Sequence, residues 1–386
     1  MKVLWLASWY PNRTAPYNGD FIERHAIATA PFVQQLFVVV IVKDNTMQSG
    51  AVEIVIKKTG NLTVYTAYYG RGKFSTVEKL LSLRKYISLQ RKIYKQIELE
   101  FGRPDIVHVQ VPMKAGLYAL YLKTKYGIAY VVTEHWAGYN KICKPSIFDL
   151  GKSFIKLNNL VLKDAKLVLP VSDYLGKMIH QDFINITYSV IPNVVDTAIF
   201  FPVEKNISAV LQLIHVSTMG YQKNMEAVVK ALSLWKEGGG NFVLNCYGNS
   251  NKKLLQLVQH YSLQAHVFFH GEVPQPLVAK AMQQSDVLIL YSRYETFGCV
   301  VAEANVCGLP VIVSDLPVFH ELITENENGI FVEADNPSAL AIALEVFAQS
   351  KNNFDKKQIA QKAKDRFNYN TVGQQIKDVY AGVLKA

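Results

Sequence analysis

The 386-residue chain has only four cysteines, Cys143, Cys246, Cys299 and Cys307, and no two of them form a C-x-x-C pair. Neither a disulfide framework nor a cysteine zinc site is indicated, and reduced, buried thiols in the cytosol are the expectation. Long hydrophobic runs are missing as well. The longest, such as Leu36–Val42, fall well short of the roughly 18 residues that a bilayer span needs, so no membrane-crossing helix is expected. At the start, Met1 and Lys2 precede Val3–Tyr10, but Ser8 interrupts the run, Pro11 stops it and no small-residue cleavage site follows. That pattern reads as a first β-strand rather than a signal peptide. No Asp-x-Asp occurs anywhere. Acidic residues are scarce in one half only: residues 1–195 hold 25 Lys and Arg against 13 Asp and Glu, a net of +12, whereas residues 196–386 hold 16 against 18, a net of −2. A basic half suits a nucleic acid, an anionic membrane or a phosphorylated substrate, and composition alone does not choose among them.

Half of the residues are hydrophobic and 19% are charged, which excludes long disorder and supplies ample core for two domains. Short apolar, β-rich runs alternate with helix-length segments. In the first half they are Val3–Ser8, Leu36–Val42, Ile106–Val109, Tyr130–Thr133, Leu167–Val171 and Ser189–Ile191; in the second, Leu211–Val216, Phe242–Tyr247, Val267–His270, Val287–Leu290 and Val311–Ser314. Strands apolar on both faces and separated by helices predict parallel sheets covered on both sides, hence two doubly wound α/β domains. The turn-formers Pro192, Asn193, Asp196 and Pro202 place the boundary in Ile191–Pro202. The expected division is 1–195, 196–360 and a helical segment 361–386 that crosses back to the first domain. Ligands of open parallel sheets bind beyond the carboxyl ends of the strands, so two such domains facing a cleft direct attention to the strand-to-helix loops.

The densest constellation of polar residues runs from Asp286 through Ser292, Glu295, Phe297 and Gly298 into a helix carrying Glu303, then Gly308, Leu309, Pro310 and the strand Val311–Ser314. Glu295 stands at the carboxyl end of a strand. Gly298 opens the helix, whose N-terminal N–H groups and dipole favour a phosphate. A carboxylate at Glu303 can accept two bonds from vicinal hydroxyls, and Glu295 can do the same for a second sugar. The plainer alternative is a helix-start charge at Glu295 and a solvated surface residue at Glu303. The apolar neighbours Val300, Val301, Ala302, Ala304 and Val306 argue for burial of Glu303, which then needs a partner.

Glu295 and Glu303, with seven residues between them including Phe297-Gly298, and Cys307-Gly308-Leu309-Pro310-Val311-Ile312 after them, resemble the donor-site signature of glycosyltransferase family 4, retaining enzymes of GT-B fold. Val190-Ile191-Pro192-Asn193-Val194-Val195-Asp196 is similar to the interdomain "IPNGVD" segment of that family. Gly329 falls in an "NG" loop, and Asp105–His108 precedes the strand leading to Thr133-Glu134-His135. The resemblance covers most of the chain. It implies a GT-B architecture of two Rossmann-like domains and transfer of a sugar, with retention and without a metal, from a nucleotide-sugar donor to a saccharide or lipid-linked saccharide acceptor. No cofactor is implied.

Carried over position by position, the resemblance assigns Lys223 to the donor diphosphate, Glu303 to the ribose and Glu295 to the transferred sugar. The backbone amides of Phe297 and Gly298 lie near the sugar or phosphates, and Gly271 and Val273 beside the base. Gly19 gives the first domain's backbone access to the diphosphate, and His135 stands near the reacting sugar. One element departs from the pattern: Ser217-Thr218 stands where the family has Gly-Arg, so the arginine that partners Lys223 is missing, with Arg293, Arg13 and Arg24 as substitutes. The glycine pair often found after Ser314-Asp315 is Leu316-Pro317, though Glu321 is kept. A nucleotide-sugar epimerase of the same fold and a non-catalytic GT-B binding subunit remain as alternative readings.

Residues 71–95 hold eight Lys and Arg, among them Arg84, Lys85, Arg91 and Lys92, against the single acid Glu78, interleaved with Leu80, Leu83, Ile87 and Ile93. Such a basic amphipathic stretch can lie on an anionic membrane surface, and a solvated helix face with its Leu and Ile in the core is the alternative. Nucleic acid is disfavoured, because no recognised reading motif accompanies the charge. The expected location is the cytoplasm, with peripheral attachment at the inner face of the membrane.

Overall fold

The computed structural model describes residues 1–70, 76–204 and 209–385, and for 76–80 the backbone alone. It divides into two compact units, residues 1–194 with Tyr369–Ala386, and Val195–Asn368. The first unit is built on seven strands: β1 (Lys2–Ala7), β2 (Gln35–Asp44), β3 (Val52–Thr59), β4 (Leu62–Gly70), β5 (Ile106–Gln110), β6 (Tyr130–Glu134) and β7 (Leu167–Pro170), in the order β3-β4-β2-β1-β5-β6-β7. All pair in parallel except β3, which runs antiparallel to β4 at the edge. The second unit has six strands, β8 (Leu211–Val216), β9 (Phe242–Tyr247), β10 (Val267–Phe269), β11 (Val287–Leu290), β12 (Val311–Ser314) and β13 (Gly329–Val332), in the order β10-β9-β8-β11-β12-β13.

The reason for this architecture lies in the strands themselves. Leu4, Trp5, Phe37, Val38, Val107, Val131, Ile214, Leu244, Leu288 and Ile312 are fully buried, so both faces of each central strand are apolar and need helices as cover. The order of the second sheet is that of a doubly wound nucleotide-binding fold, and the strand order reverses between β8 and β11. In the first sheet the reversal falls between β1 and β5.

The observed strands differ from the expected ones in two ways. Ser189–Ile191 is not a strand: this stretch runs beside β7 with a single bridge from Tyr188 to Val168, because Pro192 follows immediately and has no N–H to continue a ladder. The hairpin β3–β4 and the strand β13 were not expected. β3 is exposed along almost its whole length, so it lacks the alternation that marks a half-buried strand, and β13 is only four residues long. The C-terminal segment also divides differently from 361–386. The helix Lys356–Phe367 groups with the second unit and the helix Tyr369–Lys385 with the first. In the latter, buried Val372, Ile376 and Tyr380 join the first unit's core, and the Tyr380 hydroxyl accepts from Trp5 Nε1 at 2.9 Å.

Of the basic stretch, residues 71–75 lie outside the described residues, and Leu80 lies among the residues whose side chains are not described. In the helix Thr76–Phe101, Tyr86, Leu89, Ile93 and Ile97 are core, Leu83 and Ile87 are half-buried, and Arg84, Arg91, Lys92 and Lys95 face solvent. Among the described residues no helix is long and apolar enough to cross a membrane.

Candidate active site

The carboxyl edge of the second sheet gathers most of the candidate donor residues at its reversal point. After β8 the chain passes Ser217, Thr218 and a short turn, Tyr221–Lys223, before the helix Met225–Glu237. After β11 it passes Tyr291–Gly298 before the helix Cys299–Val306. Lys223 Nζ forms a direct ion pair with Glu295 Oε1, joining the two loops, and Ser292 Oγ donates to the same oxygen at 2.9 Å. Ser292 is held in turn, its carbonyl accepting from Ser314 Oγ at 2.5 Å. The ion pair is nearly shut off from water, its side chains 16% and 7% exposed.

Gly298 caps the helix with φ +87°, a conformation that disfavours any side chain, and a Cβ there would stand 2.7 Å from Phe319. The helix N-terminus therefore opens beside Glu295. Phe297 is buried against Phe367, their ring centroids 5.8 Å apart. Glu303, one to two turns into the helix, is buried rather than solvated, as its apolar neighbours require. Gly271 and Val273 follow β10 at the far side of the sheet; the Gly271 carbonyl accepts from Gly248 N–H at 2.7 Å, linking the loops after β9 and β10. Beside them the His270 and Tyr247 rings stack with centroids 4.6 Å apart.

The Ser217-Thr218 position is occupied by a different device. His215, fully buried, must donate from Nδ1 to the Ile289 carbonyl at 2.9 Å, so its Nε2 accepts from Ser217 Oγ at 2.6 Å, and Ser217 Oγ accepts from Met219 N–H at 2.9 Å. Burial drives the imidazole's pKa down from 6.5 to about 4, fixing this neutral tautomer at neutral pH. Of the three substitute arginines, only Arg293 belongs to the second unit. Its Nη1 donates to the Tyr221 carbonyl at 2.6 Å, its guanidinium stacks 4.4 Å from the Tyr221 ring and its Nε faces Asp335 at 3.3 Å. It braces the loop that carries Lys223. Arg13 is engaged by Asp44 and Glu53, and Arg24 by Asp20.

In the first unit, Gly19 (φ +74°) opens the helix Asp20–Thr29, and a Cβ there would meet Trp9 and Tyr10 backbone atoms at 2.8 and 2.9 Å. Two side chains of that helix pack on His135: Phe21 at 4.6 Å and His25 at 5.5 Å between ring centroids. His25 Nε2 donates to the Pro192 carbonyl at 2.9 Å, and its pKa falls to about 4 through burial. The same cause, with His25 and His108 nearby, holds His135 well below 6.5, so its ring is neutral at physiological pH. Glu134, completely buried, accepts from the His135 and Trp136 N–H groups at 2.8 and 2.9 Å and from the Tyr139 hydroxyl at 2.9 Å. Burial outweighs those bonds and lifts its pKa from 4.5 to about 7.

Two features of this unit had no residue-type signal. Val111, just after β5, has φ +60°, a rare conformation for a β-branched residue. Its N–H donates to the Thr133 carbonyl at 2.9 Å and its carbonyl accepts from Ser8 Oγ at 2.7 Å; the strained residue thus ties the loops after β1, β5 and β6. Lys114, three residues on, has its pKa lowered by burial and by the nearby Lys43, so two cations converge at this edge. Among the described residues no group of three His, Cys, Asp or Glu side chains is placed to hold a metal ion.

Two parallel α/β units with this strand order define the GT-B class. Residues 38–199 match the model of Glycosyltransferase Family 4, and residues 200–366 match that of Glycosyl transferases group 1. The chain belongs to the family-4-type glycosyltransferases. It is 28% identical over 252 residues to the N-acetyl-alpha-D-glucosaminyl L-malate synthase of Bacillus anthracis, covering 61% of this chain and 63% of that one. The alignments to the first curated relatives span 33% to 68% of those proteins' own lengths. Among solved structures, sucrose-phosphate synthase from Thermosynechococcus elongatus superposes with a TM-score of 0.82 at 17% identity, covering 100% of both chains. Anabaena HepE in complex with UDP and glucose gives 0.73 at 16% identity, covering 99% of this chain and 100% of that one.

Proposed function

We propose that this protein transfers a sugar, with retention of anomeric configuration and without a metal, from a nucleotide-sugar to a saccharide or lipid-linked saccharide acceptor. The observation that carries the reading is the meeting of Lys223, Glu295 and the N-terminus of the Cys299–Val306 helix at the point where the second sheet's strand order reverses. A cation and a helix dipole at one edge suit a diphosphate, and buried carboxylates at Glu295 and Glu303 suit sugar and ribose hydroxyls. UDP bound to the structurally similar HepE is in keeping with a nucleotide donor.

In the transfer step the bond from the anomeric carbon to the diphosphate oxygen breaks, and a bond from that carbon to the acceptor oxygen forms on the same face. Following the family resemblance, the departing phosphate oxygen takes the acceptor proton. Negative charge grows on that leaving group, and Lys223 with the helix N-terminus stabilises it there. Gly271 and Val273 offer main-chain groups to the base, and His135 of the first unit serves the transfer step as a neutral imidazole. Metal independence rests on the missing Asp-x-Asp together with this cation and helix end.

The test is a panel of UDP-, GDP- and ADP-sugars incubated with purified protein, with and without saccharide acceptors and excess EDTA. Released nucleoside diphosphate, transfer with retained configuration by NMR, and survival in EDTA are expected. A changed sugar on an intact nucleotide would make the protein an epimerase, and inertness without binding would make it a non-catalytic subunit. Abolition by EDTA with rescue by magnesium or manganese would overturn metal independence.

A further inference from the structure

The proposed diphosphate cation is already occupied by the proposed sugar-binding carboxylate. Lys223 and Glu295, 72 positions apart in sequence, are in direct ion-pair contact. Ser292 Oγ donates to the same oxygen, Oε1, and both charged side chains are largely withdrawn from water. Opposite charges in a partly dehydrated site attract far more strongly than in bulk water. A diphosphate must therefore compete with Glu295 for the ammonium, and a sugar hydroxyl must compete with Lys223 for the carboxylate.

We propose that Glu295 is a specificity-determining residue that acts as an internal competitor for Lys223. A ligand is held well only when it brings both a diphosphate to take over the ammonium and hydroxyls to take over the carboxylate. A nucleoside diphosphate alone satisfies half of that exchange and leaves Glu295 displaced without a new partner. After transfer, the returning Lys223–Glu295 contact expels the nucleoside diphosphate. The proposal rests on the nucleotide-sugar reading of the site and goes beyond it in sign: removing the carboxylate strengthens product binding.

Calorimetric titration with UDP, GDP and ADP tests this. Glu295→Gln keeps the side-chain size and can still accept from Ser292, but lacks the charge. It should bind the nucleoside diphosphate that the wild type prefers about five- to tenfold more tightly, while affinity for the intact nucleotide-sugar does not rise. In a Lys223→Gln background the same substitution should change nucleoside-diphosphate affinity by less than about twofold, as a double-mutant cycle requires when the effect passes through the lysine. Melting curves confirm that the variants are folded, and if Glu295→Gln is not, Glu295→Asp, which withdraws the carboxylate by one methylene, must show the same direction of change. Unchanged or weaker binding in the folded variant, or tightening that persists without Lys223, overturns the proposal while leaving the donor assignment standing. If none of the three diphosphates binds either wild type or Glu295→Gln, the donor assignment itself falls and takes this proposal with it.

Discussion

Apart from the antiparallel edge strand β3, the two units share a strand order, but they build their candidate sites from different materials. The second unit uses charged side chains of opposite sign on neighbouring loops, Lys223 and Glu295, in a half whose net charge is near zero. The first unit is strongly basic on its surface. At its carboxyl edge it keeps two buried histidines, His25 and His135, and one buried carboxyl, Glu134, all with pKa values displaced toward the neutral form. The difference is one of pairing against exclusion: the second unit's candidate site pairs opposite charges, which under the proposed reading a ligand can exchange. The surroundings of His135 are instead made by excluding water, so that both imidazoles stay neutral while Glu134 titrates near pH 7.

The largest effect expected from breaking this contrast is on the second unit. Glu295→Ala should depress turnover about ten- to a hundredfold, since a lost charged hydrogen bond to a reacting sugar is worth ~1.5–3 kcal/mol. Nucleoside-diphosphate affinity should not fall with it. Steady-state kinetics beside calorimetry checks the split, and equal losses in both would remove Glu295 from the transferred sugar.

The next effect sharpens the first unit's side. Three buried histidines there, His25, His108 and His135, have pKa values lowered by burial, against His215 alone in the second. A folded pKa below the unfolded 6.5 means that the stability is present above pH 6.5 and is lost as pH falls toward about 4. The first unit should therefore unfold first on acidification. Trp5, Trp9 and Trp136 report on it and Trp235 on the second, so fluorescence of tryptophan-to-phenylalanine variants between pH 7 and 4 separates the two transitions. Simultaneous loss, or earlier loss at Trp235, would contradict this.

Glu134 works with the opposite sign. Its folded pKa, about 7, lies above its ordinary 4.5, so the folded state binds the extra proton and stability falls as pH rises from 4.5 to 7, levelling off above. Urea unfolding of Glu134→Gln against wild type should favour the variant progressively across that window; a difference independent of pH would show that the carboxyl stays ionised throughout.

The smallest effect concerns the basic face of the helix Thr76–Phe101. With Ile93 and Ile97 in the core, attachment to a membrane is left to charge, at about 1 kcal/mol per Lys or Arg near an anionic surface. Wild type should sediment with anionic liposomes at low salt and release at high salt, beyond a Debye length of ~8 Å at physiological ionic strength. Arg84, Lys85, Arg91 and Lys92 all changed to Glu should abolish it. Indifference of the wild type to anionic liposomes would assign the charge to solubility or a soluble acceptor.

The same contrast explains what the sequence disclosed. An acid embedded in an apolar helix stands out, so the burial of Glu303 was legible, while Glu295 was picked out by its place in the loop after a strand. The strands β8, β9, β11 and β12 were legible to the residue, because a strand with at least one fully buried face is written as a short, mostly apolar run. β3 escaped, since a strand exposed on both faces carries no period. The strain at Val111, the local bond from Ser292 to Glu295 and the bracing of Tyr221 by Arg293 across 72 positions also escaped, because neither backbone angles nor the choice of hydrogen-bond partner leaves a mark on residue type. In the first unit His135 was visible only through family resemblance, and the burial that makes it neutral was not.

The central claim, that the nucleotide belongs to the second unit while the first serves the transfer step, is tested most directly by titrating one nucleoside diphosphate into Glu303→Ala and His135→Ala side by side, with turnover measured on both. Glu303→Ala should bind about ten- to a hundredfold more weakly than wild type, and His135→Ala should bind like wild type yet turn over far more slowly. Wild-type binding by Glu303→Ala, or lost nucleoside-diphosphate binding in His135→Ala, would contradict the account.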